Sequence, residues 1–254
     1  MKMLAIETAT EACSIAVLVD GAVIERFEIA PRRHTELALP WAEALLAEAG
    51  IAKSQLDAIA VGRGPGAFTG VRLAIALAQG IALALDRPLL PVSTLAALAM
   101  RAITGSGSLP VVSQPDPVPA QASGERILAA IDARMGEIYV ASFQRDGDGL
   151  IAISDEIVIA PDVYVRPDGS GWHGVGTGFA AAEGALAMRL HAQLATVDAA
   201  ALPHAADVAR LGALAFARGE AIVPEHIEPA YLRNNVALTS AEQQALRAAR
   251  QTGC

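Results

Sequence analysis

The chain has 254 residues and a formal charge of −8, from 19 lysines and arginines against 27 aspartates and glutamates. That length suits one or two domains with a large core, and the acidic balance excludes a broad basic surface for nucleic acid, so RNA contact must be local or supplied by a partner. Cys13 in a strand-like run and Cys254 at the end make no disulfide framework, which points to a reducing, cytoplasmic compartment; no membrane span or secretory signal is expected, because the longest apolar segment, Leu73 to Leu85, is short and closed by Arg72 and Asp86-Arg87, and Glu7 interrupts the only early apolar run.

In chain order, Met3 to Thr8 reads as a strand, Ala9 to Ala12 as a turn and Cys13 to Asp20 as a second strand. Asp20-Gly21 then turns the chain into a third strand, Ala22 to Ala30. Pro31 to His34 end this meander. A helix follows, with Thr35 as its expected cap, Glu36 as favourable first-turn charge, and Leu37, Leu39, Trp41, Leu45, Leu46 and Ala49 as a wide apolar stripe before Gly50. Ala58 to Val61 is a short buried strand. It runs into Gly62-Arg63-Gly64-Pro65-Gly66-Ala67-Phe68-Thr69-Gly70, a tight loop in which Thr69 is the expected cap of a helix reaching Leu85. From Leu73 onward only Gln79 in that helix is polar, and a helix apolar on nearly all sides is buried in a core or against another subunit. Pro88 to Val92 is a further strand, and Ser93 or Thr94 caps a helix to about Arg101.

Between Thr104 and Gly124 the composition turns to Gly, Ser, Pro, Gln and Asp, which reads as a loop or linker. The second half then repeats the first. Arg126 to Asp132, Glu137 to Gln144 and Leu150 to Ile159 are strands separated by turns at Ala133 to Gly136 and Asp146 to Gly149. A strand near Trp172 to Gly176, a turn at Gly176-Thr177-Gly178, a helix near Ala180 to His191 and a helix over Ala205 to Arg218 follow. Glu7 and Asp132 fall at the same place in the two meanders. A duplicated strand-strand-strand-helix-strand-helix unit is the ribonuclease-H-like module, and two copies make the α/β actin-like (ASKHA) two-lobe fold. The expected lobes are 1–103 and 125–236, with a linker at 104–124 and a tail at 237–254, helix-prone from Ser240.

That architecture binds ATP between its lobes, so the loop around Gly62 is tested first as a phosphate cradle. Gly62 to Ala67 fits G-x-G-x-x-G/A, but the only acid nearby, Asp86, follows the helix instead of ending a second strand. A P-loop needs Gly-Lys-Ser/Thr, and Gly70-Val71-Arg72 lacks the lysine. The other reading of Gly62, Gly64, Pro65 and Gly66 is structural: they let strand and helix pack closely. Glu7, Thr8 and Thr10 are the candidate nucleotide-cleft residues, with Glu7 either a working carboxylate or one hydrogen-bonded to the turn after it. Ala9, and Arg134 in the second copy, stand where close phosphate approach wants a glycine. His34, His173, His191, His204 and His226 lie far apart, so neither a metal site nor a catalytic set is expected. An ATP-dependent enzyme and a nicotinamide oxidoreductase remain alternatives; a glycoprotease-like peptidase finds no His-Glu-x-x-His and no nucleophile-base pair.

Five blocks carry a family resemblance: Leu4 to Ser14, His34 to Leu37, Gly62 to Arg72, Asp132 to Tyr139 and Glu228 to Asn234. Together they resemble the TsaB (YeaZ) family over the whole chain, apart from the Pro-rich segment and the tail after Val236. The resemblance implies a noncatalytic subunit in tRNA threonylcarbamoyladenosine synthesis. Such a subunit supports TsaD, with TsaE, in transferring a threonylcarbamoyl group to N6 of the adenosine beside the anticodon of ANN-decoding tRNAs. It also implies no cofactor of its own, ATP and a divalent metal on the partner subunits, tRNA contact only through the complex, and a homodimer when TsaD is absent. TsaD carries a metal-binding His-x-x-x-His whose positions correspond here to Thr94 and Leu98, and leucine cannot bind a metal ion. The implied partner surface is the helix pair of the first lobe, through Leu37, Trp41, Leu45, Phe68, Val71, Ala74, Leu77, Ala78 and Ile81, part of which must face the protein's own sheet.

Overall fold

A computed structural model describes residues 1–102, 124–165 and 167–233. The expected linker, apart from Gly124, and the expected tail lie outside the described residues. Strands β1 (Lys2–Glu7), β2 (Ala12–Val19) and β3 (Ala22–Ile29) form the first antiparallel meander. Helix α1 (His34–Glu48) returns the chain to β4 (Ala58–Gly62), parallel to β1; α2 (Phe68–Leu85) leads to β5 (Leu89–Val92), parallel to β4; and α3 (Thr94–Ala99) follows. The sheet order is β3-β2-β1-β4-β5.

The second half builds the same sheet. Strands β6 (Arg126–Arg134) and β7 (Glu137–Asp146) are antiparallel, β8 (Gly149–Ala152) and β9 (Ile157–Ile159) both pair with β7, and β10 (Trp172–Val175) runs parallel to β6. Helix α4 (Ala181–Leu190), β11 (Leu194–Asp198, parallel to β10) and α5 (Ala205–Ala217) complete it, in the order β11-β10-β6-β7-β8. Read from the meander outward, the two sheets have one topology. Among the described residues the second copy has no counterpart of α1 between β9 and β10.

Strand alternation divides the first sheet cleanly. Leu4, Ile6, Ile15, Val17, Ile59 and Val61 face α1 and α2, while Met3, Ala5, Ala16, Ala58 and Ala60 face the other way. That other face is covered by α5, from the end of the described chain, through Ala205, Ala206, Val208 and Ala209. Conversely α3, at the end of the first half, packs on β6 and β7 and sets Leu95, Leu98 and Ala99 among Ile127, Ala129, Ile131 and Phe143. Each half therefore lends its last helix to the other half's sheet. The α5 start is held from β2 and β3: Glu25 accepts from the Ala206 N–H at 3.0 Å and meets His204 Nδ1 at 2.9 Å, while the Ser14 hydroxyl accepts from the Ala205 N–H at 2.8 Å. Burial raises the Glu25 pKa, but His204, the Ala206 N–H and Ser14 outweigh it and hold the carboxyl below its ordinary value.

Several expectations are corrected. Neither Thr35 nor Thr69 is a cap; the N-cap positions of α1 and α2 lie two residues earlier, at Arg33 and Ala67, and carry no capping side-chain hydrogen bond. The N–H of the α2 cap residue Ala67 donates to the β1–β2 turn, at Ala9 O, 2.7 Å away. Ser93 does cap α3, accepting from the Ala96 N–H at 3.1 Å, but that helix ends at Ala99. Leu39, counted in the α1 stripe, is 46% exposed. The strand expected over Leu150 to Ile159 is broken: Ile153 to Glu156 loop out opposite Ala141 and Ser142, so β8 and β9 meet β7 in registers two residues apart. Strand β11 was not expected; it is an edge strand, exposed from Ala195 onward, and leaves no apolar run to read.

Candidate functional site

The glycine loop between β4 and α2 closes over the end of β1. A Cβ on Gly70 would stand 2.0 Å from the Thr8 carbonyl oxygen, and one on Gly62 would stand 2.0 Å from Glu7 Oε2. The Thr8 hydroxyl donates to Gly70 O at 2.8 Å, and Gly64 and Thr94 exchange two bonds, Gly64 N–H to Thr94 Oγ1 at 3.2 Å and Thr94 N–H to Gly64 O at 2.9 Å. Gly64 and Pro65 are buried, and the peptide between them is cis. The loop is thus a packed joint between β1, β4, α2 and α3.

Glu7 lies beneath that joint at 1% exposure. One carboxylate oxygen accepts from the Ala9 N–H at 2.7 Å, the other from the Thr94 hydroxyl at 3.0 Å. Burial pushes its pKa up to about 7, against the opposing pull of the hydrogen bonds from Ala9, Thr94 and Thr8. Thr8 is fully buried and Thr10 nearly so, at 7%.

Between the two lobes lies a cavity of about 430 Å³, where the ends of β1 and β6 meet. Thr10 lines it; Glu7 and Thr8 do not. Its other walls include Glu11, Arg32, His34, Gly66, Ala67, Asp132, Arg134, Tyr139 and Thr177. His34 Nε2 sits 3.1 Å from Thr10 O and 3.2 Å from Ala12 O, which makes it the protonated nitrogen of a donor tied to the turn. Asp132 is held by Arg134, through the backbone at 2.8 Å and the guanidinium at 3.0 Å, and its own N–H donates to the Thr177 hydroxyl at 3.1 Å. A triphosphate fits this wall poorly. Ala9 fills the space in front of Gly66, its N–H is already given to Glu7, and Arg134 crosses Asp132 where a metal-bound phosphate would seek a free carboxylate. Among the described residues no three His, Cys, Asp or Glu side chains converge as metal ligands do. Leu98 is fully buried in the core, and Thr94 serves Glu7.

The helix pair α1 and α2 lies on the outer face of the first sheet. Of the residues implied as partner contacts, Leu45, Val71, Ala74 and Ala78 are buried in the lobe's own core and cannot reach a partner. Leu37, Trp41, Leu77 and Ile81 are half-buried against that core, and Phe68 is 53% exposed. Sequence reasoning did not assign the outward residues Ala76, Leu83 and Ala84 individually; with Gly80 they form an exposed stripe of small and apolar side chains at helical spacing, with exposed Arg72 one turn before it. Of the eighteen residues of α2, five are buried. It is the one described helix long and apolar enough, by length and composition, to cross a membrane. At its start Arg72 lies over the Phe68 ring, 3.7 Å from the centroid, and its Nε donates to the Tyr231 hydroxyl at 2.6 Å.

Known proteins match the chain over most of its length. The family model described as TsaD, tRNA N6-adenosine threonylcarbamoyltransferase, matches residues 26–241. The protein called tRNA threonylcarbamoyladenosine biosynthesis protein TsaB from Escherichia coli K12 is 40% identical over 246 residues, which cover 93% of this chain and 96% of that one. The protein of the same name from Haemophilus influenzae is 35% identical over 93% of this chain and 95% of its own length. Among solved structures, YeaZ from Pseudomonas aeruginosa superposes with a TM-score of 0.78 at 42% identity, covering 91% of this chain and 99% of that one. With the duplicated two-lobe sheet, these matches place the chain within the superfamily of the TsaD model, and within that superfamily it belongs to the TsaB family.

Proposed function

We propose that this chain works in the cytoplasm as a noncatalytic subunit of tRNA threonylcarbamoyladenosine biosynthesis, binding TsaD through the outward face of α2 and the adjoining part of α1. TsaE joins that pair, ATP and the divalent metal sit on the partner subunits, and tRNA meets this chain only through the complex. A second copy of the chain takes the TsaD place when TsaD is absent. The observation that carries the reading is α2: an apolar helix of eighteen residues that its own sheet covers along one face only. The stripe Ala76, Gly80 and Ala84 has side chains small enough for another helix to approach closely, and Leu83 adds apolar area beside it. The noncatalytic half of the reading is supported by the closed Glu7 joint and by the ion pair across Asp132.

Size exclusion with purified TsaD tests the surface. Ala76→Arg and Gly80→Arg each place a long cation on the exposed stripe, where no core contact is lost. Both variants are expected to stop co-eluting with TsaD while melting within a few degrees of the parent. Undiminished co-elution by both would refute the docking face, and cation-dependent ATP hydrolysis by the isolated chain would refute the noncatalytic assignment.

A further inference from the structure

Outside the two sheets, a second set of contacts joins the lobes, and it converges on Arg63. The Arg63 N–H donates to Val92 O at 2.9 Å, and its carbonyl accepts from the Ala230 N–H at 2.8 Å. Its guanidinium Nη2 lies 3.3 Å from Glu156 Oε2. Glu156 belongs to the four residues that loop out between β8 and β9, and its other oxygen accepts from the Ser93 hydroxyl, the cap of α3. The break in that strand therefore delivers a second-lobe carboxylate, 16% exposed, to two first-lobe groups.

On the opposite side of Arg63 runs the segment Pro224 to Arg233. The Gln79 side chain donates to Pro224 O at 2.9 Å, Ile227 is 8% exposed in the first core, and Arg72 holds the Tyr231 hydroxyl. Arg233 then reaches the second sheet, donating to Ala133 O at 3.2 Å and Arg134 O at 3.4 Å and pairing with the Glu137 carboxylate, so that a segment expected in the second lobe packs largely on the first. The segment thus spans from α2 to the β6–β7 turn at the rim of the cavity.

We propose that Arg63, Glu156 and the strap Pro224 to Arg233 lock the two lobes in one relative orientation, so that the cleft is a fixed joint and not a jaw that opens and closes around a ligand. No single contact is strong, since hydrogen bonds and half-exposed ion pairs each contribute modestly. The attachments lie apart along the cleft, however, and a hinge motion must break them together. This inference stands independently of the docking face on α2.

Distance measurements on the full chain test it. Spin labels at Lys53→Cys and Met188→Cys, one per lobe and both exposed, in a Cys254→Ser background report the spread of inter-lobe distances. The pair Arg63→Ala and Arg233→Ala is expected to widen that distribution at least twofold and to speed amide exchange over Arg134 to Glu137 at least tenfold, with β1 and β6 still protected. Arg87→Ala serves as the control, because its guanidinium bonds only Leu56, Ser54 and Asp86 carbonyls within the first lobe, and it should change neither readout. An unchanged distribution in the double variant overturns the proposal, as does loss of protection in β1 and β6, which would make these contacts core supports. Should the double variant not fold, Glu156→Gln, which removes one charge and keeps the shape, must widen the distribution over the parent or the proposal fails.

Discussion

Glu7 is a carboxylate whose proton is bound more tightly in the folded chain than in the unfolded one, because burial outweighs the donors around it. Its pKa rises from 4.5 to about 7, so the stability it contributes is fully present below about pH 4.5 and is lost as the pH climbs through 7. The span is worth on the order of 3 kcal/mol. In Glu7→Gln the fall in melting temperature between pH 5 and pH 8 should shrink relative to the parent; an equal fall would show that other groups carry the pH dependence. The glycines allow a sharper contrast. Gly70→Ala drives a methyl into the Thr8 carbonyl and should cost about 1–3 kcal/mol, as overpacking does. Gly80→Ala meets nothing within 4 Å and should be neutral or stabilising by up to about 1 kcal/mol, since alanine is the better helix former. Thermal denaturation of the two variants checks the pair; equal melting points would mean that the loop yields where the structure packs it tightly.

At the scale of elements, the meanders, the glycine loop and most helices were legible because alternation, turn residues and 3.6-residue spacing are local signals. The caps were not: α2 already starts after Ala67, whose N–H donates to the carbonyl of Ala9 some sixty residues away in sequence, so Thr69 lies inside the first turn and cannot occupy the cap position. The break after β8 had a local sign that was passed over, the polar run Ser154-Asp155-Glu156 between Ile153 and Ile157, but only the distant pair Arg63 and Ser93 explains why Glu156 turns inward. For the site, the residue types on α1 and α2 were legible as an apolar pair, but their division into core and surface was not. On α2, Val71, Ala74 and Ala78 went inward and Ala76, Gly80, Leu83 and Ala84 outward, a choice set by which face of α2 meets β1 and β4, while Leu45 went inward where α1 meets β2. Glu7 was correctly placed at a strand end, and its partner Thr94 was visible in the chain, though nothing local links the two.

For the whole molecule, the exchange of last helices makes the two lobes one cooperative unit. Helix α5 seals the first sheet so closely that a Cβ on Gly212 would sit 2.8 Å from the Ala60 side chain and 3.0 Å from Met3 Sδ. Gly212→Val is therefore expected to lower the stability of both lobes in a single transition, read by calorimetry and by exchange protection in β1 and β6 alike; separate transitions would show that the lobes unfold independently.

The same exchange sets a schedule for synthesis. A ribosome releases β5 more than a hundred residues before it releases α5, and at usual elongation speeds the interval lasts roughly 5 to 25 s. Throughout it Met3, Ala5, Ala16, Leu18, Ala58 and Ala60 have no lid, so the nascent chain presents a bare oily plane to the cell. That plane stays uncovered until α5 itself has left the ribosome, and a chain truncated before Ala205 lacks the helix that covers it.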